Sequence, residues 1–407
     1  MSEKVINSQK PLAIVMGRNY TTCLCMIRAA GMVGCDVILI QTCSKLGISR
    51  KIDRKSKYVI GYNYCPEPNR SALVDMILSY KNYRDKVVLL PTDDYVASTI
   101  DLNLDVLKKD FLMPHVNNTQ GEMLKIMDKF YQKSLAREVG MNVANGWICK
   151  FSNGHYEIPE RVTYPCFTKP QESYSGHLKN YLKRCNNREE LETVLGYISK
   201  LSTVRKNSKA ILIEEYVDIE QEYGIQGIAI GGKAIVPTIV QKDSSKAGLT
   251  ATGHIFPITH FGDLQNKITS FIQKTHFTGI FDIDLYVKGG RFYFNELNTR
   301  LGAGSFALTY GIYNLPGLFI EYLLGRKDGS YNGPTEFKEL SFASEKVLME
   351  MYYDHQITMK QFRSTLDKSD ILSLKFKEDQ QPYKEFLKLY YILPLWRFLK
   401  KKKEKYA

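Results

Sequence analysis

Apolar and polar positions come in blocks along the first part of the chain. The run Pro11-Leu12-Ala13-Ile14-Val15-Met16 stops at Gly17, a helix-like stretch follows to Ala30, and a second apolar run occupies Val37-Ile38-Leu39-Ile40. Short continuous apolar runs separated by a helical stretch predict parallel strands buried on both faces. Val87-Val88-Leu89-Leu90 predicts a further buried strand that ends in Pro91-Thr92-Asp93-Asp94. That ending places polar groups at the carboxyl edge of the sheet, where open α/β sheets bind ligands.

From about Asn117 the pattern changes. Gly121 to Val139 reads as one charged amphipathic helix stopped by Gly140. Strands are predicted over Arg161–Lys169, Ala210–Val217, Tyr223–Ile230, Ala234–Val240, Ile280–Val287 and Arg291–Asn295, with Val287-Lys288-Gly289-Gly290-Arg291 as a tight hairpin between the last two. Beyond Gly325 the pattern is polar and helical, from Phe342 to Met359 and from Tyr383 to Lys405. These blocks divide the chain into an α/β N-terminal domain with a parallel sheet (1–116), an α+β region of two lobes (117–209 and 210–327), and a helical C-terminal extension with a basic tail (328–407).

Composition narrows the class. The chain has 407 residues, 44% of them hydrophobic and 24% charged, which excludes a disordered or collagenous protein. A chain this long buries enough apolar surface to fold without staples, and its 8 cysteines lack metal-ligand spacing, so reduced buried thiols are expected. The start, Met1-Ser2-Glu3-Lys4, has no basic-then-apolar signal pattern, and no window nears the roughly 20 apolar residues that a bilayer crossing needs. A cytoplasmic location is therefore expected. The net charge of +13 is uneven, with Arg397, Lys400, Lys401, Lys402, Lys403 and Lys405 gathered at the C-terminal end against Glu404. Charge concentrated at one end argues against a nucleic-acid binder, which needs a broad basic face with stacking aromatics.

The candidate chemistry lies around the hairpin. Asp282-Ile283-Asp284 precedes it, and Asn295-Glu296-Leu297-Asn298-Thr299-Arg300 follows. Alternation puts Glu296, Asn298 and Arg300 on one face, and the hairpin sets Asp284 beside Glu296. Two carboxylates opposed on adjacent strands repel each other. A divalent cation reverses that sign, and hard oxygen donors in this number suit Mg²⁺. Arg300 adds a rigid charged fork for an anionic oxygen, and Gly302-Ala303-Gly304-Ser305 a turn whose backbone N–H groups can approach a phosphate or carboxylate.

The spacing Asp284…Glu296-x-Asn298-x-Arg300, with Gly279 before it and Gly311-x-x-Asn314-x-Pro316 after it, resembles the ATP-grasp superfamily. The resemblance covers residues 10 to 325 and implies an N-terminal (pre-ATP-grasp) domain followed by an ATP-grasp fold. It makes Lys129, in Met127-Asp128-Lys129-Phe130, and Lys169, in Pro165-Cys166-Phe167-Thr168-Lys169-Pro170, the two nucleotide lysines. It makes Glu214-Glu215-Tyr216-Val217 the hinge that receives adenine through backbone groups, with Glu222 on the ribose hydroxyls. Asp284, Glu296 and Asn298 become ligands of two Mg²⁺ ions, for which Mn²⁺ can substitute, and Arg300 the catalytic cation that stabilises an oxyanion. The stretch Gln171-Glu172-Ser173-Tyr174-Ser175-Gly176-His177 has fewer glycines than the phosphate flap of many relatives.

The implied reaction is ATP-dependent, ADP-forming ligation: a carboxylate is phosphorylated to an acyl-phosphate and attacked by an amine. The stretch 298–306, together with the tail, resembles the D-aspartate ligase type of cell-envelope enzyme, which implies a role in cell wall biogenesis and a lipid-linked acceptor. Gln241 to His254 is expected to be a loop forming part of the acceptor pocket, with Lys242 and Lys246 attracting an acidic substrate. Tyr391-Ile392-Leu393-Pro394-Leu395-Trp396-Arg397-Phe398-Leu399 beside the lysines reads equally as a peripheral anchor on the inner face of the cell membrane and as a helix packed on the protein. A carboxylase-like or polysaccharide-modifying enzyme, and a noncatalytic nucleotide-responsive membrane module, stand as alternatives. The substrate pair and the oligomeric state are not legible in the sequence.

Overall fold

A computed structural model describes residues 9–18, 21–43, 50–172, 182–201, 210–246 and 248–392. The phosphate-flap stretch from Ser173 to His177 and the basic tail lie outside the described residues. Four parallel strands, Leu12–Gly17, Asp36–Cys43, Val59–Pro66 and Val87–Pro91, form the N-terminal sheet with the third strand at one edge and the fourth at the other. Every residue of the first and fourth strands is buried, as continuous apolar runs require of a sheet covered on both faces.

Two further sheets follow. A five-stranded antiparallel sheet contains Cys166–Pro170, Ala210–Glu215 and Gly146–Ser152 as its inner strands. A nine-stranded sheet runs from Ile371–Leu372 through Leu340–Ala343, Leu249–Pro257, Lys233–Lys246, Gln221–Ile230, Phe277–Lys288 and Arg291–Asn298 to Asn142–Val143, with His115–Val116 paired off this path. The architecture is a parallel α/β domain followed by two α+β lobes and C-terminal helices.

Several elements differ from the pattern-based expectation. The helix expected over Gly121–Val139 is two helices, Glu122–Ile126 and Lys129–Glu138, because the Asp128 side chain accepts hydrogen bonds from the backbone N–H groups of Phe130 and Tyr131 and starts a new helix. The strand expected over Arg161–Lys169 is the shorter Cys166–Pro170. The loop expected over Gln241–His254 is the end of a long hairpin, Lys233–Lys246 with Leu249–Pro257. Its Ser, Thr and Lys residues alternate too weakly in polarity to mark strands. Phe342 lies in the strand Leu340–Ala343, and the helix expected there is Glu345–Tyr353, followed by a separate helix Met359–Lys368. All eight cysteines are free thiols, seven of them buried. Among the described residues no helix is long and apolar enough to cross a membrane.

One core joins the N-terminal sheet to the large sheet: Val15, Ile27 and Val88 pack in the same cluster as Ile228, Leu308, Phe319 and Phe342. A buried polar knot adds the C-terminal helices. Arg28, fully buried, donates from Nε to Asp379 Oδ2 at 3.0 Å and from its other nitrogens to the Ser373, Leu374 and Asp379 carbonyls. Asp379 also accepts from the Ser56 hydroxyl at 2.8 Å and from the Lys57 N–H at 2.9 Å. Removing one partner of a buried pair leaves an uncompensated charge. Arg28→Ala is therefore expected to cost about 3–5 kcal/mol, read as a lower urea midpoint.

Candidate active site

The hairpin Phe277–Lys288 and Arg291–Asn298 turns at Gly289 and Gly290, whose φ angles of 56° and 68° fit the two-residue turn that glycine permits. Its register pairs Asp282 with Asn298 and Asp284 with Glu296, so these four side chains share a face. A bulge next to Asp284 leaves Asn295 out of the pairing, and Asn295 Oδ1 accepts from Lys169 Nζ at 3.0 Å.

The opposed carboxylates are each held by a lysine. Lys129 Nζ lies 2.5 Å from Glu296 Oε2, and Lys242 pairs with Asp284 Oδ1. Burial works against the Lys129 charge, but Glu296 outweighs it and raises the pKa. Lys242 is raised in the same way by Asp284 and Asp282. Asn298 Nδ2 donates to Asp284 Oδ2 at 3.2 Å, while Asn298 Oδ1 accepts from Arg300 Nη2 at 3.0 Å. Arg300 Nε in turn donates to Asp94 Oδ1 at 3.1 Å, and Nη1 to the Leu301 carbonyl at 3.0 Å. Asp94 begins the helix after the fourth strand of the N-terminal sheet, so that carboxyl edge supplies one wall of the site.

On the opposite side, Lys169 Nζ lies 2.5 Å from Glu214 Oε2, and Lys133 Nζ lies 2.8 Å from Glu214 Oε1. Both Glu214 oxygens are thus engaged, and Glu214 keeps its charge because the two lysines outweigh its burial. Glu215 and Val217 line a cleft of about 290 Å³ together with Asn145, Lys288 and Tyr293. Tyr293 stacks on Tyr286, centroids 5.4 Å apart and planes 7° apart. Glu222 is exposed at the outer end of its strand, opposite both Lys242 and Tyr286 in register. An aromatic platform, a hinge edge and a set of cations facing paired carboxylates form a surface on which a base, a sugar and a charged phosphate chain find complementary groups.

Ten residues were expected at the site: Lys129, Lys169, Glu214, Glu215, Val217, Glu222, Asp284, Glu296, Asn298 and Arg300. Lys129 pairs with Glu296, Lys169 with Glu214, and Asn298 bonds both Asp284 and Arg300, whereas Glu215 and Val217 line the cleft and Glu222 lies opposite Lys242 on its neighbouring strand. Lys133 and Asn295 had no signal in the sequence, Asp94 was expected at the ligand-binding edge of the sheet but without its partner Arg300, and Lys242, expected on a loop, is on a strand. Sequence reasoning also passed over Asp282, which is 6% exposed and raised in pKa by burial and by Asp284. Its signal was the alternation Asp282-Ile283-Asp284, which sets both carboxylates on one face. Gly302 lies so close to it that a Cβ there would come within 2.2 Å of Asp282 Oδ1.

Residues 128–316 match the family model for the carbamoyl-phosphate synthase L chain ATP-binding domain. All ten expected residues fall inside that stretch. This stretch, a little under half of the chain, is that of an ATP-grasp ATP-binding domain. Among curated proteins, the chain is similar to the formate-dependent phosphoribosylglycinamide formyltransferase of Sulfolobus acidocaldarius, 29% identical over 150 residues, covering 34% of this chain and 36% of that protein. The enzyme of the same name from Francisella tularensis is 21% identical over 290 residues, covering 69% and 71%. The chain spans little more than a third of the length of the first of these relatives. Among solved structures, L-amino acid ligase from Bacillus licheniformis shares the fold with a TM-score of 0.60 at 16% identity, covering 82% of this chain and 79% of that one. N5-carboxyaminoimidazole synthetase from Staphylococcus aureus does so with a TM-score of 0.57 at 13% identity, covering 85% of each.

The oxygen donors fit a hard divalent ion. Among the described residues no group of three or more His, Cys, Asp or Glu stands at metal-binding distance. Asp284, Glu296 and the Asn298 amide oxygen offer a partial shell, the kind Mg²⁺ completes with water and phosphate oxygens.

Proposed function

We propose that this chain is an ATP-dependent, ADP-forming ligase that joins a carboxylate to an amine. The observation that carries the proposal is the face on which Asp284 opposes Glu296, with Asn298 and Arg300 beside them and Lys129 and Lys169 reaching in from two other elements. Mg²⁺ held by Asp284, Glu296 and Asn298, or Mn²⁺ in its place, would neutralise charge on the β- and γ-phosphates. Lys129 and Lys169 hold the phosphate chain, the Glu215–Val217 backbone takes the adenine edge, and Glu222 takes the ribose hydroxyls.

In the first step a carboxylate oxygen of the substrate attacks the γ-phosphorus, the bond to the bridging oxygen breaks, and ADP leaves. In the second the amine attacks the acyl-phosphate carbon, the C–O bond to phosphate breaks, and the amine proton is released with inorganic phosphate. Arg300, fixed by Asp94, Asn298 and the Leu301 carbonyl, stabilises the oxyanion that forms as the amine adds. The names of the similar proteins speak of formate and of an L-amino acid, in keeping with a small carboxylate as the group activated. We assign an amino acid as that carboxylate and a cell-envelope precursor as the amine. That finer assignment is supported by the D-aspartate ligase resemblance of residues 298–306.

The test is a screen of amino acids against amine-bearing cell-wall precursors, with both nucleotide products measured. Release of ADP and phosphate that depends on both substrates is expected. Release of AMP and pyrophosphate contradicts the acyl-phosphate route, and turnover that requires bicarbonate moves the chain to a carboxylase-like reaction.

A further inference from the structure

The helix that opens with Lys129 carries a second lysine one turn on, and Lys133 is the more buried of the two, 1% exposed against 7%. A lysine charge inside a protein is costly unless a carboxylate answers it. Glu214 answers it at 2.8 Å, yet the other oxygen of the same carboxylate already holds Lys169 at 2.5 Å. Two ammonium groups therefore share one carboxylate, in a cluster of net charge +1.

The partners come from different parts of the fold. Lys133 stands on the helix Lys129–Glu138, which packs on the strand Arg291–Asn298 of the large sheet. Glu214 and Lys169 stand on neighbouring strands of the five-stranded sheet. Burial presses the Lys133 ammonium down to about 8, Glu214 opposes that fall, and Lys169 adds to it. Without Lys133, Glu214 and Lys169 would form a neutral pair, and a lysine matched one-to-one by a carboxylate presents little field to a phosphate.

We propose that Lys133 is a positioning residue for nucleotide binding, which shares the Glu214 carboxylate so that Lys169 is held in place while the cluster keeps one positive charge for the phosphates. The proposal rests on Lys169 as a nucleotide lysine. It makes Lys133 part of the site without requiring that it touch the ligand.

The test is calorimetric titration of the full chain with ADP and Mg²⁺, which needs no turnover. Lys133→Met, which takes the cluster to zero charge, is expected to weaken binding by about 10- to 100-fold. Adding Glu214→Gln to Lys133→Met restores the net charge and is expected to recover most of the loss. Lys133→Arg keeps the charge and is expected to bind within about threefold of the parent. Wild-type affinity in Lys133→Met, a double variant no tighter than Lys133→Met, or Lys133→Arg as weak as Lys133→Met each overturns the proposal. If Lys133→Met does not fold, the double variant and Lys133→Arg still decide it. Failure of the parent chain to bind nucleotide overturns the ligase assignment itself, an outcome distinct from a failure confined to the variants.

Discussion

Replacing Glu296 by glutamine is expected to lower ATP-dependent product formation by about a thousandfold, equivalent to about 4 kcal/mol of transition-state stabilisation. Glutamine keeps the size of the side chain and an oxygen that can still lie near Lys129, so the hairpin register with Asp284 survives. What is lost is charge. Glu296 faces Asp284 across the strand pair, and together they supply the two negative groups that a divalent ion would bridge. Lys129, whose pKa Glu296 raises against the effect of burial, also loses its counter-charge. Steady-state ADP release checks the rate and a melting curve checks that the fold is retained. Activity within a few-fold of the parent would remove Glu296 from the metal assignment.

Arg300→Met is expected to lower kcat by about a hundred- to a thousandfold, as loss of an oxyanion donor does, with a smaller change in KM for ATP. The guanidinium bridges Asp94 of the N-terminal domain, the Asn298 amide and the Leu301 carbonyl, three directions that only a planar fork spans. Methionine fills the volume but leaves Asp94, 8% exposed, without its cation. Arg300→Lys supplies charge without the fork and is expected to recover less than a tenth of the activity. Comparing kcat and KM for the two variants separates loss of an oxyanion group from simple weakening of the site.

The parts of the molecule that the sequence makes plain are those where one local pattern permits one structure. Leu12–Met16 and Val87–Leu90 are apolar without interruption and became strands buried along their whole length. Gly289-Gly290 between alternating residues fixed the hairpin, and the hairpin fixed Asp284 opposite Glu296. Patterns of mixed polarity were harder. The hairpin of Lys233–Lys246 and Leu249–Pro257 has a polar end that resembles a loop, and Leu340–Ala343 merges with the apolar residues of the following helix. Lys133 depends on a partner far away in the chain, Glu214, and nothing in its own neighbourhood marks it; Asp94 is marked by its place after a buried strand, but its pairing with Arg300 is not. Asp282 was legible, since alternation sets it beside Asp284, but its burial depends on the close approach of Gly302.

The most direct measurement is a crystal structure of the chain grown with ADP and Mg²⁺. The account predicts the metal between the nucleotide phosphates and the oxygens of Asp284, Glu296 and Asn298, with the base beside Glu215–Val217 and Lys169 on the phosphate chain. Nucleotide bound elsewhere, or bound here with Asp284 and Glu296 still paired to Lys242 and Lys129 and no metal between them, would contradict it.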